Sequence, residues 1–175
     1  MILSAQAIQQ AQLEGRIDID PFDVSNLNPN SYNFRLGSTI LQPCMNAAVD
    51  LVFERIDLPP DGFVLEPKTL YLASTLEIIG STDYAITLLG RSSLGRLGLF
   101  LNITADLGHV GTLSQWTLEL TVVQPLRVYP GMRIGQIAFW KAYGSTKGYC
   151  GRYHQDLGPI PSRDIFEGVE SGVRS

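Results

Sequence analysis

A short segment flanked by glycine concentrates side chains that bind anions. Residues 90–96, GRSSLGR, place Arg91, Ser92, Ser93 and Arg96 within one short turn. Arginine binds phosphate through paired charge-assisted hydrogen bonds, and serine hydroxyls add further donors. Glycine lets the backbone approach a ligand closely. The segment therefore predicts a phosphate-binding turn, and a polar turn with solvated arginines is the alternative that composition alone leaves open.

A single carboxylate lies in an otherwise uncharged strand pattern. In residues 116–122, WTLELTV, apolar residues alternate with Thr117, Glu119 and Thr121. That period of two predicts a strand with Glu119 on its polar face. An outward-facing surface carboxylate is the simplest interpretation of Glu119. If the polar face lines a pocket, Glu119 can instead transfer protons during a reaction.

Several kinds of catalytic site are excluded by missing motifs. Zinc-dependent deaminases need His-x-Glu together with Pro-Cys-x-x-Cys. The chain has no Cys-x-x-Cys, and neither His109 nor His154 has a glutamate at the required spacing. Residues 90–95 have the glycine spacing of a P-loop but lack the Lys-Ser/Thr that must follow. We therefore expect no zinc and no P-loop nucleotide chemistry.

Overall composition restricts the partners and the location. The net charge is −4 and the pI about 5.1, whereas proteins that bind nucleic acid through its phosphates are usually basic. No apolar run approaches the roughly 18 residues of a membrane span. Two cysteines, Cys44 and Cys150, imply no disulfide framework. We expect a cytoplasmic protein that binds neither nucleic acid nor membrane.

The surrounding pattern predicts mainly short strands. Ser4 can cap a helix that runs to about Glu14, with Leu3 and Ile8 as its hydrophobic staple. Strand patterns follow at residues 32–37, 63–65, 69–74, 84–89, 116–122 and 134–140, separated by Gly- and Pro-rich turns. This organisation predicts one domain over residues 1–175, an all-β sandwich or barrel with one short N-terminal helix. Residues 141–175 lack core residues and are expected to form a C-terminal arm or lid.

Six segments, taken in order, resemble the dCTP deaminase family of the dCTP deaminase/dUTPase superfamily. They are residues 15–23, 31–37, 90–99, 116–120, 130–136 and the tail residues 152–153 with 158–163. The resemblance covers nearly the whole chain. It implies a dUTPase-like β fold and a homotrimer with active sites at subunit interfaces. It also implies a dCTP or modified dCTP substrate that carries Mg²⁺ on its triphosphate, and deamination to dUTP and ammonia.

The same resemblance implies roles for individual residues. Glu119 corresponds to the general base that activates water for attack on C4 of cytosine and passes the proton to N3. Ser92 and Arg96 correspond to the residues that orient that water and stabilise the developing charge. Substrate contacts are implied for the triphosphate, the base edge and the sugar. They fall on Arg91, Ser93, Thr104, Ala105, His109, Gln136, Tyr143, Arg152 and Tyr153.

Three positions depart from the family pattern. His109 stands where the family has the Asp that meets the sugar, Asn33 where it has Asp, and Asp156 where it has Gln. Asn33 favours a reaction that stops at dUTP. These departures leave three alternatives: a bifunctional, dUMP-forming deaminase, a dUTPase, and a nucleotide-binding trimer without catalytic activity.

Overall fold

The chain folds around antiparallel strands in a computed structural model that describes residues 1–45, 51–101, 104–145, 147–151 and 155–163. The strands are β1 (Ile17–Asp20), β2 (Leu27–Asn28), β3 (Ser31–Met45), β4 (Leu51–Asp57), β5 (Phe63–Leu65), β6 (Tyr71–Thr75), β7 (Ile78–Ser81), β8 (Tyr84–Gly90), β9 (Leu99–Leu101), β10 (Leu107–Gly108), β11 (Leu113–Ser114), β12 (Thr117–Val122), β13 (Leu126–Val128) and β14 (Arg133–Lys141). The helices are α1 (Ala5–Leu13), the one-turn α2 (Ser92–Gly95) and a 3₁₀ turn (Val24–Asn26). The prediction of a mainly β fold is confirmed.

The N-terminal helix forms where the capping pattern predicts it. The Ser4 hydroxyl accepts a hydrogen bond from the Ala7 backbone N–H at 3.4 Å, and the helix ends at Leu13. Gly15 follows with a φ of +69°, which a residue with a side chain adopts only with strain. Ile8 is fully buried. Burial of one helix face against β1 and β3 therefore fixes α1 on the sheet.

The main sheet contains nine strands, seven of them in the order β10-β8-β14-β3-β6-β12-β9, with β2 and β4 also paired to β3. Two smaller sheets have the orders β1-β7-β11 and β13-β5. The register of β3 against β6 shifts between Leu36 and Ile40, which bends this 15-residue strand. As a result, β3 contributes both to the β14 side of the sheet and to the β12 side.

The predicted inside–outside alternation of the β12 segment is confirmed. Leu118, Leu120 and Val122 are buried, whereas Thr117 and Glu119 are only partly buried. The apolar face packs into a core that contains Tyr32, Phe34, Tyr71 and Phe139, each at most 1% exposed. The opposite face of β12 is therefore left to line a surface concavity.

A buried ion pair joins β3 to the turn between β6 and β7. The Glu77 side chain is fully buried, and its Oε1 accepts a hydrogen bond from Arg35 Nε at 2.7 Å. Its Oε2 accepts a second hydrogen bond from the Arg35 backbone N–H at 2.9 Å. The hydrogen bond with Glu77 raises the pKa of Arg35 above its usual value, so the guanidinium keeps its charge.

No helix within the described ranges is long and apolar enough to cross a membrane.

Candidate active site

A cleft of about 620 Å³ opens over the polar face of β12. Thr117 and Glu119 line it from the strand, Leu72 lines it from β6, and residues 105–116 form one wall. Tail residues, among them Asp156 and Ile160, close the other side. With Phe53 of β4, the cleft is thus built from four parts of the chain that are distant in sequence, and it contains the carboxylate that the strand pattern singled out.

Glu119 is held rigidly because β12 has partners on both sides. It lies opposite Leu72 of β6, and the next residue, Leu120, pairs with Leu101 of β9. The carboxylate is partly buried. A side chain on a doubly paired strand is positioned more accurately than one on a loop, which suits a residue that must transfer protons in a fixed geometry.

One wall of the cleft depends on an indole packed directly against a glycine. Trp116 Nε1 donates a hydrogen bond to the Ile79 carbonyl at 3.0 Å. A Cβ added to Gly108 would lie 2.1 Å from Cη2 of Trp116, far inside van der Waals contact. Only glycine fits there. Ala105, predicted to read the base edge through its backbone, lines the same wall and is exposed.

A stacked aromatic pair stands at one end of the cleft. The rings of His109 and Tyr149 lie 5.4 Å apart, centroid to centroid, with an interplanar angle of 29°. The Tyr149 backbone N–H donates to the Val110 carbonyl at 2.8 Å and so fastens the tail to this wall. Both residues line the cleft. Among the tail tyrosines, substrate contacts were predicted for Tyr143 and Tyr153, whereas for Tyr149 a lid over the ligand and an arm packed on the next subunit both stayed open.

The described tail residues run along the edge of the cleft through hydrogen bonds to residues 115–117. The Gln115 backbone N–H donates to the Asp156 carbonyl at 3.0 Å, and the Gly158 N–H donates to Gln115 Oε1 at 2.7 Å. The Ile160 N–H donates to Thr117 Oγ1 at 3.1 Å. Residues 155–163 therefore lie against the sheet as part of the cleft. The arm-or-lid prediction for residues beyond 163 falls outside the described ranges.

The predicted phosphate-binding turn lies elsewhere on the surface. Ser92 and Ser93 begin the one-turn helix α2, and they and Arg96 are exposed and do not line the cleft. Arg91 Nη1 donates to the Arg133 carbonyl at 3.2 Å, which ties the turn to the start of β14. Gln136 is close by in the sheet, since it pairs with Leu89 at the end of β8.

The predicted site residues thus fall into two groups within one chain. Ala105, His109 and Glu119 share the cleft, whereas Arg91, Ser92, Ser93, Arg96 and Gln136 cluster around the α2 turn. Thr104 and Tyr143 are exposed and line neither wall of the cleft. Arg152 and Tyr153 lie outside the described residues.

The three departures from the family pattern occupy different surroundings. His109 lines the cleft, as described above. Asn33 is 4% exposed in β3, and its Nδ2 donates to the Asn26 carbonyl at 3.2 Å. The Asn33 side chain is therefore part of the protein interior and not of the cleft. Asp156 lines the cleft and forms an ion pair with Arg163 at 2.7 Å.

The described residues include no group of three or more His, Cys, Asp or Glu side chains placed to hold a metal ion.

Comparison with known proteins identifies related sequences along most of the chain. A family model described as dCTP deaminase-like matches residues 2–142. A dCTP deaminase of Rhodopirellula baltica is 44% identical over 163 residues, which cover 91% of this chain and 82% of the relative. A protein of Hathewaya histolytica named "dCTP deaminase, dUMP-forming" is 42% identical over 167 residues, covering 93% of this chain and 96% of the relative.

A solved structure has the same fold. The 2′-deoxycytidine 5′-triphosphate deaminase of Agrobacterium tumefaciens superposes with a TM-score of 0.66 at 24% sequence identity. The match covers 81% of this chain but only 48% of the Agrobacterium chain, so this chain spans about half the length of that protein.

Proposed function

The chain belongs to the dCTP deaminase-like family, and from that premise we propose that it hydrolyses dCTP to dUTP and ammonia. The observation that carries the proposal is the position of Glu119, a carboxylate on a doubly paired strand, facing a cleft of about 620 Å³. The cleft has the size of a small-molecule site. A cytoplasmic location, where free deoxynucleotides occur, is part of the same proposal.

In this reaction Glu119 is the general base and then the general acid. It takes a proton from water as the water oxygen attacks C4 of the cytosine, and it delivers that proton to N3. The carboxylate then takes the proton of the new C4 hydroxyl and passes it to N4, so that the C4–N4 bond breaks, ammonia leaves and the C4 carbonyl of dUTP forms. One carboxylate that serves both proton transfers accounts for about a 10²–10⁴-fold acceleration. Holding the attacking water next to the cytosine in a cleft accelerates the reaction further.

A triphosphate needs cationic side chains, and the described residues that line the cleft of one chain include no lysine or arginine. Ser92 and Arg96 are exposed on α2, outside the cleft. We therefore propose that α2 of one subunit completes the cleft of a neighbouring subunit in a homotrimer. Arg91, Ser92 and Ser93 then bind the phosphates, and Mg²⁺ enters with the triphosphate as part of the substrate. A cyclic trimer uses the same heterologous contact three times.

Turnover of dCTP tests the proposed function directly. The purified protein is incubated with dCTP and Mg²⁺, and ammonia and the nucleotide products are followed over time. Equal amounts of ammonia and dUTP are expected. Ammonia with dUMP and pyrophosphate would instead support the dUMP-forming reaction that the name of the Hathewaya histolytica relative indicates. Binding of dCTP without any ammonia would support the non-catalytic alternative and overturn the proposal.

Mixed oligomers test whether each active site is shared between two subunits. Glu119→Gln and Ser92→Ala proteins should each be nearly inactive alone. After unfolding and refolding together in equal amounts, roughly a quarter of wild-type activity should return. In random assembly that fraction of sites combines an intact Glu119 with an intact Ser92.

Two controls accompany this experiment. Each variant refolded alone should remain inactive, and size-exclusion chromatography with light scattering should give the mass of a trimer. A mixture that stays inactive although both variants assemble together would show that the site lies within one subunit.

A further inference from the structure

Asp156 is the second carboxylate in the cleft, and two hydrogen bonds to Gln115 hold the backbone around it. Its backbone carbonyl accepts the Gln115 N–H at 3.0 Å, and Gly158, two residues later, donates to the Gln115 side chain at 2.7 Å. The Asp156 side chain lines the cleft. It is 16% exposed. A carboxylate held in this way has little freedom to turn out into solvent.

The two oxygens of this carboxylate are used unequally. Oδ1 forms the 2.7 Å ion pair with Arg163 Nη2. Oδ2 is buried and has no hydrogen-bond partner within the described part of the chain. An unsatisfied buried acceptor costs about 1–3 kcal/mol, and more when it is charged. The structure therefore leaves an acceptor that a donor group of a bound ligand can satisfy.

The position of Asp156 limits which group of a nucleotide can be that donor. Gln115, to which Asp156 is fastened, lies four residues before Glu119, or roughly 13 Å of extended chain. The 4-amino group of the base must lie beside Glu119, where the C4–N4 bond breaks. Phosphate oxygens are anionic acceptors and are repelled by a carboxylate. The remaining donor on a deoxynucleoside is the 3′-hydroxyl of its sugar.

We propose that Asp156 accepts a hydrogen bond from the 3′-hydroxyl of the substrate and so positions the nucleoside. This inference rests on the proposed function, because it assumes that the cleft holds dCTP with its base at Glu119. Rotation about the terminal bond of an Asp side chain is soft, and a small rotation brings Oδ2 toward the ligand. The ion pair with Arg163 holds the carboxylate in the cleft wall.

Binding of a matched pair of nucleotides tests the contact. Dissociation constants for dCTP and for 2′,3′-dideoxy-CTP are measured by calorimetry in a Glu119→Gln background, where neither ligand is turned over. Adding Asp156→Ala should weaken dCTP binding about 10-fold or more, as expected for a hydrogen bond to a charged group. Binding of the dideoxynucleotide, which lacks the donor, should hardly change. The ligand dUTP should lose as much affinity as dCTP.

Arg163→Gln is the control for the lost ion pair, because it breaks that pair and keeps the Asp156 acceptor. It should leave the ratio of the two dissociation constants unchanged, because the acceptor for the 3′-hydroxyl is still present. Equal losses of dCTP and dideoxy-CTP affinity in Asp156→Ala would indicate a structural or Mg²⁺-linked role and overturn the inference. A loss of affinity for dCTP and not for dUTP would assign the contact to the 4-amino group and would also overturn the inference.

Failure of the wild type to deaminate dCTP would overturn the proposed function. Normal deamination without the predicted difference between dCTP and dideoxy-CTP binding would overturn this inference alone.

Discussion

Replacing Glu119 by Gln should lower kcat for dCTP deamination by about 10²–10⁴-fold. Gln has the shape of Glu but cannot accept the proton of the attacking water. The fold should not change, because Glu119 lies on the half-exposed face of β12 while Leu118 and Leu120 on the other face remain buried. Affinity for dCTP should therefore stay within a few-fold of the wild type. Single-turnover ammonia release and calorimetric binding measure the two effects separately.

The matched control for this substitution is Glu66→Gln. It removes one negative charge from an exposed residue that follows β5 and does not line the cleft. It should leave kcat unchanged. If Glu119→Gln retained more than about a tenth of wild-type kcat, the role of Glu119 as the base that serves both proton transfers would be wrong.

Removing the buried carboxylate of Glu77 should cost about 3–5 kcal/mol of folding free energy. In Glu77→Ala the Arg35 backbone N–H and Nε both lose their acceptor. The Arg35 guanidinium, whose side chain is 26% exposed, then keeps its charge without its partner. Since domains of this kind are stable by only about 5–15 kcal/mol, the loss is a large share of the total. Urea unfolding monitored by tryptophan fluorescence measures it.

Asp57→Asn is the comparison variant, because it breaks an ion pair that is exposed to solvent. Asp57 pairs with Arg55 at 3.1 Å, but the two side chains are 75% and 68% exposed. Water and salt screen exposed ion pairs, so this variant should unfold near the wild-type urea concentration. Equal destabilisation of the two variants would contradict the assignment of stability to the buried pair.

The sequence predicted those elements whose signals come from residues close together in the chain. The Ser4 cap and the apolar spacing of α1 are contained within one helix, and the period-two pattern of residues 116–122 is contained within one strand. Pro130 and Gly131 lie in one of the Gly- and Pro-rich turns between the predicted strands, and Gly131 has a φ of +76°. Each of these signals involves residues that are neighbours in the chain and so can be recognised without knowing what they pack against.

The tail was harder to predict because its contacts are made with distant residues. Gly158 and Ile160 are each 43 positions from their partners Gln115 and Thr117. Hydrogen bonds from backbone N–H groups leave no residue pattern in the sequence. For the same reason, spacing did not indicate that Tyr149 faces the cleft while Tyr143 is fully exposed. The strand β4, which pairs along β3, was likewise not predicted.

The grouping of the site residues could not be obtained from the sequence either. A list of candidate residues does not say which of them meet within one chain. The structure separates Glu119 from the α2 residues Ser92 and Ser93, although all three come from recognisable motifs. Strand order does not reveal this separation, because α2 leads into β9, which pairs directly with β12.

The residues that close the cleft come after every strand of the sheet in chain order. The family model ends at residue 142, yet Tyr149, Asp156 and Ile160 form part of the cleft. During synthesis, the described strands therefore leave the ribosome before residues 149–163. The cleft of a nascent chain takes its full shape only after residues 155–160 dock along residues 115–117.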